Sequence, residues 1–568
     1  MALTRRALGG LTVGGSAAVA LSACGGNEDE GGSDSGSKEV VWAVSSSWSS
    51  WNLNTTGGNT SYGNQALTPM NPVGQVGYDF GPDGKVFYDD AIFAGAPELA
   101  AEEPMTIKYT LNENAQWSDG KPIRVEDFIF QWYSMSGNPE HANQEKALPA
   151  STDWGSNVAS IEQAEDGTIL VTYVDGYIDP EWSFSGGVYL PSHLAEENGF
   201  ENWQSDPDVM GDAIEWFDKT APTVGSGPYV PTEAKAGEYV VYEPNENYQG
   251  SVKPKLSKLT MKVVEGTASI VTELRQGSIA GSWPSEFSEE ENAKAAEDQA
   301  LSVETYEGSV WLHVDANCND KFLSDVELRK AVYTAINVPD IITKNYPETD
   351  VNPKGNHFFS EGGPYYVDFV TPTGQGSGDA DAARQILTDA GYTWNGDDKL
   401  VSPDGEVVVF DCRYGESAPV RKTAAELMQS YLAPIGIDLE LQAIPDGELS
   451  PVLTGGDFGL IIFGWSGNPA FTVAPAQFFR SDSGSNYGKY NNPDVDAAVD
   501  KVRSTFDLDE AAEYANAADQ IVVPDAYVLP LFDEPQVIMY NGTLVTGVQV
   551  NGNSQSGPIY NVREWDVA

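Results

Sequence analysis

Apolar residues recur along the chain in two rhythms. Val40–Val44 is a continuous run, and Ile107, Tyr109 and Leu111 alternate with polar neighbours, so both stretches are predicted strands. Val125, Phe128, Ile129, Trp132 and Tyr133 fall at i, i+3, i+4, i+7 and i+8, the spacing of an amphipathic helix with a wide apolar face. Further strands are predicted at 169–174, 239–242 and 259–263. Between them, Pro222–Tyr229 is rich in Gly and Pro and predicts a loop with backbone in an unusual conformation. Past about residue 300, strands and helices alternate. A strand at 310–314 precedes a helix bearing Leu328, Ala331, Val332, Ala335 and Ile336. A second helix carries Ala383, Ile386, Leu387 and Ala390 and stops at Gly391, a C-terminal cap residue. A strand at 407–410, a helix through Ala424, Met428 and Leu432, and a strand at 437–441 follow. The apolar run Phe458–Phe463 then leads into Gly464–Pro469. This alternation predicts an α/β lobe with a parallel or mixed sheet, whose ligand loops lie at strand ends.

The first residues break both rhythms. Arg5 and Arg6 precede an acid-free stretch of small and apolar residues, Ala7–Ala23, too short and Gly-rich for a membrane span. It ends Leu21-Ser22-Ala23-Cys24, which resembles a bacterial lipobox with Cys24 as the lipidated mature N-terminus. Thr4–Leu8 loosely resembles a twin-arginine export signal. Residues 25–37 are Gly, Ser, Asn and acids only, a tether with nothing apolar to fold. Acyl chains at ~0.8 kcal/mol per buried CH₂ would make a durable anchor.

Composition narrows the chemistry. The chain of 568 residues is long enough for two lobes or more. Asp+Glu total 85 against 31 Lys+Arg, a net charge of −54 that repels nucleic acid. Four His and three Cys form no HExxH or CxxC, so no metal site is expected. GxxxxGK[ST] and GxSxG are absent, which removes the P-loop ATPase and the α/β-hydrolase elbow. Cys318 and Cys412 follow an export signal, so a disulfide between them is possible; two unpaired thiols are the alternative. Trp48, Trp51 and Tyr62 stand among Asn, Gly and Ser residues, either as a binding wall or as aromatics folded back on a core.

Ile107–Trp132 reads IKYTLNENAQWSDGKPIRVEDFIFQW. It resembles the signature of solute-binding family five, the peptide, nickel and opine class of ABC-transporter receptors. Further resemblances follow in family order: Pro97–Ala100, Leu190–His193, Val224–Tyr229, Asn245–Tyr248 with Lys253–Leu256, Leu274–Ile279, Phe322–Ile336, Ile386–Tyr392, and Tyr490–Pro493 with Asp496. The stretch from Asn71 to Ala96 departs from the family pattern.

The resemblance implies a two-lobed α/β fold of the periplasmic-binding-protein type, class II, closing like a Venus flytrap, with an extra subdomain inserted in lobe I. The implied organisation is a leader at 1–23, a tether at 24–37, lobe I at 38–305 with the insertion near 75–200, lobe II at 306–530, and a return to lobe I at 531–568. It implies a lipid-anchored, monomeric receptor on the outer face of the cytoplasmic membrane. The receptor would hold oligopeptide in the cleft by main-chain hydrogen bonds and dock on an ABC permease whose separate ATPases power import. No cofactor and no catalysis are implied. The expected ligand-binding residues are Trp465, Ser466, Gly467, Asn468, Trp48, Trp51, Tyr62 and Trp311. In peptide receptors of this family an Asp shortly after the Trp pairs with the peptide ammonium. Here Asn468 stands there, uncharged, and Asp457 or Asp482 could substitute. The alternatives are an oligosaccharide or other small-solute receptor of the same fold, with Trp48, Trp51, Trp283, Trp311 and Trp465 as stacking faces, and, more remotely, a secreted hydrolase using an acid pair such as Asp89/Asp90 or Glu102/Glu103.

Overall fold

The structure is a computed structural model that describes residues 38–568 apart from 147, 417, 446, 447 and 468. The leader, Cys24, the tether and Asn468 therefore lie outside the described residues. One mixed sheet carries ten strands: β1 (Glu39–Val44), β2 (Tyr229–Lys235), β3 (Tyr239–Pro244), β4 (Lys258–Val263), β5 (Gly281–Ser282), β6 (Leu301–Ala316), β7 (Val409–Gly415), β8 (Asp438–Ile444), β9 (Leu460–Ser466) and β10 (Val528–Asn541). Their order is β8-β7-β9-β6-β10-β5-β1-β4-β3-β2. One parallel set, β1 with β4 and β5, lies at one end. A second, β7 with β8 and β9, lies at the other. Two long antiparallel strands, β6 and β10, join them.

β10 contains prolines inside a central strand, where a missing N–H would normally break the ladder. Pro530 and Pro535 pair with His313 and Glu307, and the β6–β10 register shifts at just these two places. The ladder is thus interrupted where proline could not have donated to it. At the first shift, Gly308 packs against the β10 backbone. A Cβ on Gly308 would lie 2.6 Å from the Glu534 carbonyl oxygen, so the close approach requires glycine. Gly308→Val is expected to lower the unfolding free energy by roughly 1–3 kcal/mol, measured by urea denaturation. Unchanged stability would mean that the strands separate freely here.

Separate cores flank the joining strands. One collects Leu312, Val314, Leu328, Met428, Leu460 and Phe532 under the Val326–Ala335 and Pro419–Leu432 helices. Another is built from residues 40–283 and 538–565, with Trp42 and Trp565 in ring contact at 4.5 Å. A smaller antiparallel sheet, formed by Glu98–Glu102, Met105–Tyr109, Ile169–Tyr173 and Val158–Gln163 in that spatial order, has its own core with the Val125–Met135 helix. The expected two-lobed α/β architecture is observed. No described helix is long and apolar enough to cross a membrane.

Two expectations need correction, and one alternative that the sequence left open is answered. The strand expected at 310–314 is only the far half of the 16-residue β6. Gly225 and Gly227 do not take a positive φ. A Cβ at either would meet the Met70 or Asn71 carbonyl oxygen at 2.2 and 2.4 Å, so these glycines serve close backbone packing instead. Cys318 and Cys412 are free. Cys412 pairs with Leu460, and Leu460 with Ala316, so two strand spacings of about 4.8 Å separate Cys412 from Ala316. Cys318, two residues further on, is not joined to Cys412.

Candidate functional site

The strand registers place a crevice between the two parallel sets. Ser282, the carboxyl end of β5, pairs with Met539, which pairs with Val303 of β6. Ser466, the carboxyl end of β9, pairs with Val310. β5 runs parallel to β6 and β9 runs against it, so the two sets point their carboxyl ends at each other. Six residues of β6 lie between, seven steps of ~3.3 Å or about 23 Å. β6 and β10 form the floor of this gap. The loops facing it are those that follow parallel strands, the usual ligand position in an α/β sheet. A cavity of about 240 Å³ elsewhere is lined by Glu39, Val41, Ile279 and Leu544. It sits at the amino end of β1, on the wrong side of the sheet by the same rule.

On the β9 side, Trp465 is the centre of an aromatic wall. Its ring stacks on Phe478 at 4.7 Å and on Tyr487 at 5.9 Å, and Phe463 meets it edge-on. Trp465 is half-buried, so part of the side chain stays accessible. Trp311 is its register partner on β6 and contacts Phe478. At 3% exposure, however, Trp311 backs the wall rather than forming its surface. His313 sits behind both indoles, fully buried, with Nδ1 2.6 Å from Asp315 Oδ1 and Nε2 without a hydrogen-bond partner among the described residues. The Gly467 amide donates to the Ser309 carbonyl at 2.5 Å, which ties the loop after β9 to the floor.

On the β1 side the aromatics behave differently. Trp48 and Trp51 pack edge to face at 5.9 Å and are 5% and 6% exposed, the folded-back arrangement. Trp48 still presents a buried indole N–H with no partner among the described residues, a rare condition in native proteins. Tyr62 lies at the rim, where its hydroxyl donates to Ser285 Oγ at 3.4 Å and Ser285 Oγ meets Ser45 Oγ at 3.2 Å. The structure thus brings Trp311, Trp465 and Gly467 together on one side and Trp48, Trp51 and Tyr62 on the other.

The two carboxylates considered as substitutes for the family Asp are committed elsewhere. Asp457 pairs with Arg413 at 2.8 Å ahead of the amino end of β9, the opposite end from Trp465. Asp482 pairs with Arg480 at 3.2 Å on the surface. Arg421 is a further candidate that the sequence analysis did not single out. It follows the carboxyl end of β7, near the start of the Pro419–Leu432 helix. Its Nη2 lies so close to Gly464 that a Cβ there would sit 3.6 Å away. Among the described residues no carboxylate is within ion-pair distance of it. Its nearest acidic influence is Glu534 on the floor, whose carboxyl is raised by burial and partly drawn back by the Arg421 charge. No spacing pattern marks such an arginine. Only the fold brings it to Gly464. No group of three described His, Cys, Asp or Glu side chains is placed to hold a metal ion.

A family model, bacterial extracellular solute-binding proteins, family 5 Middle, matches residues 96–487. The chain is similar to the oligopeptide-binding protein OppA of Mycobacterium tuberculosis, at 28% identity over 474 residues, covering 82% of this chain and 75% of that protein. Its fold is similar to that of a periplasmic EDTA-binding protein, EppA, with a TM-score of 0.80, 25% identity, and 94% and 97% of the two chains covered. It is also similar to the oligopeptide-binding protein AppA from Bacillus subtilis, solved in complex with a nonapeptide, with a TM-score of 0.67, 19% identity, and 94% and 99% covered.

Proposed function

The chain belongs to the family 5 bacterial extracellular solute-binding proteins, receptors of ABC importers, and from that premise we propose that its crevice captures oligopeptides and delivers them to a permease. The observation that carries this reading is the facing pair of carboxyl-end loops over the β6–β10 floor. The aromatic wall at Trp465 supplies an apolar face at low entropic cost. The unpartnered Trp48 N–H suits a peptide carbonyl, and Arg421 suits a carboxylate. The similarity to oligopeptide-binding proteins supports the same solute class. β6 and β10 are the two crossing segments about which lobes at 38–305 and 306–530 would hinge, with 531–568 returning to the first lobe. Cys24 would anchor the monomeric receptor by lipid to the outer face of the membrane, through the tether at 24–37. The family is one of binding proteins, and no catalytic step is assigned.

A small polycarboxylate is the second reading, favoured by Arg421, which has no carboxylate partner among the described residues, and by the likeness to an EDTA-binding protein. The oligosaccharide reading loses support, because Trp48, Trp51 and Trp311 turn their faces to the protein interior. Native mass spectrometry of the lipid-free protein from Lys38 onward, before and after mild denaturation, decides among them. A ladder of released peptides is expected. A single released chelate mass would replace the peptide assignment with the second reading.

A further inference from the structure

A segment that follows the small sheet reaches across the crevice to the other lobe. Arg503 Nη2 donates to the Tyr177 hydroxyl at 2.6 Å, lies 3.7 Å from Asp179 Oδ2, and its guanidinium covers the Tyr177 ring. Trp182 Nε1 donates to the Phe506 carbonyl at 3.2 Å, and Phe506 packs against the core of the small sheet. Glu181 Oε1 accepts from the Thr472 amide at 3.0 Å. Thr472 belongs to the loop after β9, one of the loops that face the crevice. Asp179, Glu181 and Thr472 are all buried in this contact.

Resting on the receptor reading above, we infer that this contact is a latch that takes up a proton on Glu181 when the lobes close, so that solute is held more tightly in acidic medium. The groups around the carboxyl explain why. Asp179 on its own segment repels a second charge. Tyr78, from the hairpin Tyr78–Tyr88, faces it with a hydroxyl whose ionisation Glu181 opposes. The amides of Phe471 and Thr472 and the Thr472 hydroxyl favour the ionised form. Arg503, a cation facing it, is engaged by Tyr177 and Asp179. Burial comes first among these causes and Asp179 second, and together they raise Glu181 to about 7. A neutral acid can also donate to Thr472 Oγ1, a buried atom with no other partner among the described residues.

The direction of the effect follows from linkage. In the open form the carboxyl meets water and returns to its ordinary value of 4.5. The closed form therefore binds the proton more tightly. Its advantage is complete below the open-state value and is lost as pH rises through about 7. Where closure limits affinity, affinity should rise about tenfold from pH 8 to pH 6.

The test uses the full chain and two readouts. Binding of a degenerate synthetic nonapeptide library is followed by calorimetry from pH 8 to 5. Compaction of the protein without added solute is followed over the same range by small-angle X-ray scattering. Wild type should bind about tenfold tighter at pH 6 than at pH 8 and contract as pH falls. Glu181→Gln, which mimics the neutral acid, should show neither dependence and should stay in the tight, contracted state. Asp179→Asn should move the wild-type midpoint to lower pH. A response to pH that Glu181→Gln retains, or no response in wild type, overturns the latch. If the library fails to bind while contraction still follows Glu181, the peptide reading falls and the latch stands.

Discussion

Replacing Asp533 with Ala should lower the unfolding free energy by about 3–5 kcal/mol. Asp533 lies on the crevice floor, opposite Trp311 in register. Its carboxylate accepts from Lys354 Nζ at 2.9 and 3.0 Å, and both side chains are buried, 8% and 3% exposed. Lys354 Nζ also donates to Ser360 Oγ at 3.1 Å and the Phe359 carbonyl at 3.4 Å, and stands over the Trp311 ring. Removing the acid leaves an ammonium in an apolar setting with only neutral acceptors. The loss comes from that unpaired charge rather than from any large net value of the pair. Lys354→Met added to Asp533→Leu should therefore recover most of the stability. Urea midpoints of the single and double variants measure both effects. If the double variant is as unstable as Asp533→Ala, the pair itself is net stabilising and this account of the floor is wrong.

Trp465→Ala should weaken solute binding about thirtyfold or more. A well-packed aromatic anchor at a binding surface contributes ~2 kcal/mol or more, and each 1.4 kcal/mol is tenfold in affinity. The loss should be largely specific to binding, because Trp465 is half-buried and its stacking partners Phe478 and Tyr487 have other contacts. Trp465→Phe keeps a stackable ring and should retain part of the affinity. Calorimetry with the nonapeptide library, alongside the melting temperature of each variant, separates lost binding from lost folding. Unchanged affinity in a folded Trp465→Ala variant would move the solute away from this wall.

How far the sequence could be read depended on how local each signal was. β1 is a short apolar run and β4 alternates polar with apolar residues, so their own side chains settle their fate and both were legible. The first half of β6, Leu301–Glu307, alternates Ser, Glu and Thr with apolar residues and is a strand because β10 pairs with it. That partner is more than 200 residues away, so no window on the sequence contains it. The Leu508–Val522 helix escaped notice because its buried stripe is built from Ala511, Ala512, Ala515 and Ala518, small side chains that give a weak periodic signal. Trp465 stood out through the family resemblance, whereas Arg421 comes beside Gly464 only once β7 and β9 lie side by side. For Trp48 and Trp51 the polar surroundings left a binding wall and a folded-back pair equally open, and in the fold the two indoles pack on each other.

The place of β10 in the sheet sets a timetable. It lies between β6 and β5 but ends at Asn541, late in a chain of 568 residues. Until it is made, the sheet exists as two unjoined pieces with open edges on β5 and β6, and open edges invite pairing with other chains. The lobes can collapse during synthesis, but their connection cannot form, and contacts this distant in sequence are slow to find. The growing protein thus spends nearly all of its synthesis as an incomplete fold with two open sheet edges. A route out of the cell that needs an unfolded chain has that whole interval in which to engage it. A route that accepts only folded cargo must wait for the last strand.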